Sequence, residues 1–152
     1  MIFVAIAVLL GLTAAAIWAG RRFVVVTVDG GSMLPTFTDG DRVLVRRTTL
    51  GRVRTGDVVV MRYTPGPHTI HHIIKRAVAV PGDPVPRDRV PPLADVPEPA
   101  VPPGRLVLLG DSPISTDSRH FGYAEERHLL GVVVRRMSVP TATAGRYGVF
   151  HE

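Results

Sequence analysis

Residues 2–19, IFVAIAVLLGLTAAAIWA, carry no charged side chain and are closed by Gly20-Arg21-Arg22. No other feature limits the fold as strongly, because an apolar run of this length must leave water. As a helix it spans about 27 Å, just short of a hydrocarbon core of about 30 Å. The segment reads as a single membrane-spanning anchor over residues 1–22. A cleavable signal peptide, cut near Ala14-Ala15-Ala16, is the rival reading, but no Lys or Arg precedes the apolar run as that reading requires. By the positive-inside rule the arginine pair holds the downstream domain on the cytoplasmic side. A basic segment ahead of residue 1 would relax that assignment.

Past the anchor the period changes to that of strands. Residues 23–28 (FVVVTV) are β-branched and end at Asp29-Gly30-Gly31, a turn signal. Residues 42–47 (RVLVRR) alternate, and 57–63 (DVVVMRY) come after a Thr55-Gly56 turn. Residues 69–80 (TIHHIIKRAVAV) are long and mostly apolar, and 105–109 and 130–137 complete the set. Only 123–128 offer a helical turn. Fifteen Gly and 14 Pro suit a turn-rich β architecture, and a 45% hydrophobic content supports a packed core. The expected fold is all-β, a small sheet or barrel-like domain over residues 23–152, preceded by one transmembrane helix.

Residues 81–104 differ in texture. Nine prolines in 24 residues exclude a central strand or a helix interior. The stretch reads as a surface excursion between two strands, with a proline-motif ligand as the second reading.

The formal charge is +5, but the arginines are scattered in pairs at 21–22, 46–47 and 135–136, with no run that builds a phosphate-binding stripe. No nucleic-acid partner is expected. Cysteine is absent, which excludes disulfides and thiolate metal sites and leaves the compartment open. His68, His71 and His72 cluster, but neighbours on a strand point to opposite faces, so neither a metal nor a cofactor is expected. Of 18 basic residues 17 are Arg, and Lys75 is the single lysine. Arginine cannot give up its proton near neutral pH, whereas burial lowers a lysine toward a usable base. Lys75 is therefore a proton-transfer candidate.

Three segments carry chemistry. Gly30-Gly31-Ser32-Met33-Leu34-Pro35-Thr36 puts a serine on a glycine turn, its hydroxyl exposed and neighbouring N–H groups free for an oxyanion. Ile73-Ile74-Lys75-Arg76-Ala77-Val78-Ala79-Val80-Pro81-Gly82-Asp83 sets the lone lysine in an apolar strand. Gly110-Asp111-Ser112-Pro113-Ile114-Ser115-Thr116-Asp117-Ser118-Arg119 is a polar loop dense in hydroxyls, with Phe121-Gly122 just beyond it. Taken singly these are an ordinary turn, a buried lysine and a salt-bridged loop.

In this order the segments resemble the boxes of type I signal peptidases (leader peptidases), here a compact form. GSMLPT resembles the nucleophile box, Gly56-Asp57-Val58-Val59 the next structural box, IIKRAVAVPGD the general-base box, and STDSRHFG at 115–122 the final box. The resemblance runs from about residue 29 to 131, and the apolar segment is similar to the family's anchor. It implies a serine endopeptidase with Ser32 as nucleophile and Lys75 as general base. Such an enzyme cuts after an Ala-x-Ala-like site in signal-peptide-bearing precursors, from a single-pass position in the cell membrane with the catalytic domain extracytoplasmic. Membrane lipid is then a partner, and no metal is needed. Backbone groups at Gly30 and Gly31 would support the oxyanion, Ser115 would orient the Lys75 amine, and Asp117 and Arg119 would pair to hold the loop.

Three departures are visible. Gly30 stands where some members carry an assisting hydroxyl. Ser112 replaces the usual Asn of the final box, and the gap between that position and Ser115 is one residue shorter than usual. The insert between base and final box is short, which suits a dedicated maturation protease for one precursor as the alternative. A self-cleaving repressor would need a DNA-binding domain where the apolar helix stands. A non-catalytic anchored binding module would have no use for the intact Ser32 and Lys75.

Overall fold

The computed structural model describes residues 1–66 and 69–137, with the backbone alone at 64–66, 69 and 70. His68 lies outside the described residues. The apolar segment forms α1, Ile2–Arg22, none of it buried and long and apolar enough to cross a membrane. It passes directly into the first strand at Phe23, whose backbone is already extended.

Among the described residues seven strands follow: β1 Phe23–Thr27, β2 Arg42–Arg47, β3 Val58–Gly66, β4 Thr69–Ala79, β5 Arg105–Leu109, β6 Ala124–Glu125 and β7 Leu129–Arg136. They form one antiparallel sheet in the order β1-β2-β7-β3-β4-β5-β6. The β-rich expectation holds, with strand ends moved by one to three residues, where hydrogen bonding and not composition sets the limit. The expected turn at 123–128 splits into β6 and a one-turn 3-10 helix, Glu126–His128. A short helix α2, Ser118–Phe121, is too brief to show a period in the sequence.

The central strands bury both faces. Val60 and Ile74 pack with Val26, Val28, Met33, Phe37, Val43 and Val45 on one side. Val59, Met61 and Ala77 pack with Leu106, Leu108 and Val132 on the other. A third cluster comes from the proline-rich excursion, whose Val85, Val90, Leu93 and Val101 are buried against Ala79, Val107 and Leu109. The excursion thus runs over the surface yet adds to the core. Proline blocks ladder bonds but leaves the intervening valines free to pack.

Candidate active site

Ser32 lies just past β1 on a loop tied at both ends. Val28 N–H donates to Asp41 O (2.7 Å) and Gly40 N–H to Val28 O (2.9 Å). Buried Met33 and Phe37 pin the loop to the core. The Asp41 carboxylate accepts from the Thr38 N–H and hydroxyl and pairs with Arg136, which also donates to Thr36 O and lies over the Phe37 ring. These fastenings hold a half-buried serine at the wall of a cavity of about 340 Å³, lined by Val28, Asp29, Ser32, Tyr63, His71, His72, Ile73, Ile74 and Lys75.

Lys75 reaches the same cavity from β4. Only 4% of it is exposed, and its Nζ donates to Ser115 Oγ at 2.8 Å. Burial pushes the amine below its ordinary 10.5 and Arg119 adds to that, while Asp117 pulls the other way and loses. The result is an amine biased toward the neutral form, facing the serine's cavity.

The loop after β5 positions Ser115. Its backbone meets the nucleophile loop directly, since Ser112 N–H donates to Ser32 O at 3.0 Å. Gly110 makes this approach possible. A Cβ there would lie 2.2 Å from Ser115 Oγ and 2.5 Å from Ser32 O. Asp117, fully buried, caps α2 through Arg119 N–H, accepts from Gly110 N–H (2.8 Å) and takes both arms of Arg119 at 2.9 and 2.6 Å. Ser118 Oγ accepts from Leu108 N–H at 2.9 Å, fastening the loop to β5. Sequence reasoning paired Asp117 with Arg119 and set Ser115 on Lys75, and the structure brings both pairs together despite the shortened spacing.

Asp117 also carries a stability signature. Burial raises its carboxyl, but Arg119, the Gly110 and Arg119 N–H groups and Ser115 together outweigh burial and hold it at about 2, against 3.8 ordinarily. A folded pKa below the unfolded one gives stability that is complete above pH 4 and lost as pH falls toward 2, here about 2 kcal/mol. Urea unfolding in detergent should show that loss. Asp117→Asn should remove this acid dependence and cost about 3 kcal/mol at neutral pH, because Arg119 is left unpaired.

The glycines divide. Gly30 has φ +78° and its N–H donates to Asp39 Oδ1 at 2.8 Å. Neither Gly31 N–H nor Ser32 N–H has a partner among the described residues.

Sequence reasoning missed one network. Arg76 takes Asp111 with two nitrogens, at 2.8 and 2.6 Å, and donates to Gly56 O, while Thr36 Oγ1 donates to the same carboxylate at 2.5 Å. One ion pair thus joins the nucleophile loop, the base strand and the final loop. Only the adjacency of Arg76 to Lys75, and of Asp111 to Gly110, hinted at it. His71 and His72 are both exposed at the cavity wall.

Comparison with known proteins places the chain in a family. A family model described as signal peptidase, peptidase S26, matches residues 1–90 of the 152. The chain is 37% identical over 60 residues to signal peptidase I T of Bacillus subtilis (strain 168), covering 38% of this chain and 30% of that protein. It is 38% identical over 60 residues to signal peptidase I of Bacillus licheniformis, covering 38% of this chain and 31% of the relative. The chain thus matches less than a third of these relatives' length. The family match takes in Ser32 and Lys75 and stops short of Ser115. Matched over more than half its length, the chain belongs to the signal peptidase family, peptidase S26.

Proposed function

We propose that the protein is a membrane-anchored serine endopeptidase that removes signal peptides from exported precursors after a small-residue, Ala-x-Ala-like site. The observation that carries the reading is the buried Lys75 amine, held by Ser115 and lining one cavity with Ser32. Neutral Lys75 Nζ accepts the Ser32 hydroxyl proton as Oγ attacks the scissile carbonyl. The ammonium then gives that proton to the leaving amine, and the acyl-enzyme ester remains. Lys75 next takes a proton from the water that attacks the ester, and returns it to Ser32 Oγ as the acyl–oxygen bond breaks and the carboxylic acid product leaves. The unpartnered Ser32 N–H serves the oxyanion, and Gly31 N–H stands beside it. Gly30, its N–H held by Asp39, shapes the loop. Ser115 fixes the amine, and the Asp117–Arg119 pair fixes Ser115. The precursor binds as an added strand between the end of β1 and β4, where Val28, just past β1, and Ile73 and Ile74 of β4 line the cavity.

The test is incubation of the full chain in detergent with a panel of secretory precursors, with cleavage mapped by mass spectrometry. The expected product ends after Ala-x-Ala in several precursors; cleavage of one alone indicates the dedicated maturation form. Because the base must be neutral, kcat/KM rises with pH through a Lys75 pKa below 10.5. A flat profile from acid to alkaline removes Lys75 from the base role.

A further inference from the structure

We propose that Arg46, Arg47 and Arg52, with Arg21 and Arg22, form a basic shelf that seats the folded domain on anionic phospholipid headgroups. The inference rests on the reading of α1 as a bilayer span and adds a second, electrostatic contact to it. The helix fixes the location. Trp18 and Arg22 stack at 5.2 Å on its last turn, the ring-plus-cation arrangement that settles at a membrane interface. No linker separates α1 from the sheet, and the helix touches both β1 and β2.

Register then places the other cations. Phe23, the first residue past the helix, pairs with Arg46, and Arg47 is the next residue along β2, opposite Gly131. Arg47 and Arg52 line one open concavity with Thr48 and Thr49. All five arginines are exposed. Among the described residues none of them has a carboxylate partner. Asp41, Asp111, Asp117 and Glu125 each hold a different arginine, and Glu126, near the shelf, accepts from Leu50 N–H at 3.2 Å. Five exposed arginines without a carboxylate partner among the described residues thus stand about the end of the sheet where the helix leaves it. That end lies within a Debye length of the headgroups, where each arginine contributes. A phosphodiester layer is the partner that fits this charge and position, and it is independent of which side of the membrane the domain occupies.

The chain has no cysteine, so single-cysteine labels report one site. Thr49→Cys, exposed on the shelf, carries a fluorophore, and the full chain is reconstituted in vesicles with a headgroup-bound quencher. Stronger quenching in phosphatidylglycerol than in phosphatidylcholine vesicles is expected, reversed by salt. Arg46→Gln, Arg47→Gln and Arg52→Gln together should lower the docked-to-free ratio by about 100-fold. Equal quenching in both lipids, or in the triple variant, overturns the shelf. So does quenching that requires an added acidic protein, which would make a polypeptide the occupant. A label at Gly11→Cys with an acyl-chain quencher separates the two readings. If Gly11 is quenched and Thr49 is not, the shelf alone fails. If Gly11 is unquenched, the span fails and the shelf with it.

Discussion

On the proposed mechanism, Ser32→Ala and Lys75→Arg are each expected to lower kcat/KM for an Ala-x-Ala precursor by at least about 10⁴-fold. Removing the serine deletes the attacking oxygen while leaving the loop fastenings, all of which run through neighbouring residues or backbone, in place. Its unfolding midpoint should match the parent's. Lys75→Arg keeps the positive charge and loses the chemistry, because a guanidinium stays protonated at any working pH. It also forces a larger group into a seat only 4% exposed. A variant that separates base from scaffold is Lys75→Met. Burial already opposes the charged amine there, so Met should abolish turnover without lowering stability. Substantial activity in the Arg variant would end the general-base assignment.

Gly110→Ala is expected to lower activity by about 100-fold or more and stability by about 1–3 kcal/mol. Gly110 is not among the residues that line the Ser32 cavity. Its missing side chain is what lets the final loop lie against both the Ser115 hydroxyl and the Ser32 carbonyl, at separations no methyl group can share. The strained loop must move away from Ser32, weakening the Ser112 N–H to Ser32 O bond and shifting the oxygen that holds Lys75. The loss should fall mainly on kcat, and the pH profile should shift as the amine loses its fixed partner. An Ala variant with parental turnover would show that the two loops are not held by this contact.

Much of the sheet was legible because its strands announce themselves. VVVT, RVLVRR and IIKRAVA are β-branched or alternating runs bounded by Gly, Pro and Asp, and burial tracks that pattern. Ser32 and Lys75 were legible for different reasons: one from a glycine turn, the other from its uniqueness in a lysine-poor chain. Their placement on one cavity needed the fold. The Arg76–Asp111–Thr36 network was hidden because its members are 35 to 75 residues apart and no local rule pairs them. The third apolar cluster was hidden by its prolines, which mark a surface path without revealing that the valines between them point inward. The 3-10 turn and α2 are shorter than any helical period.

Consecutive side chains on β4 do unlike work for one loop. Lys75 meets Ser115, and Arg76, facing the other way, grips Asp111. Sliding this strand by a single position would exchange the amine for a guanidinium or an isoleucine and turn every side chain of β4 to the opposite face. Correct pairing of β4 with Val58, Val59 and Leu109 is thus a condition for chemistry as much as for folding. The Arg76–Asp111 clamp favours the observed alignment and so, on the proposed mechanism, guards the position of the base.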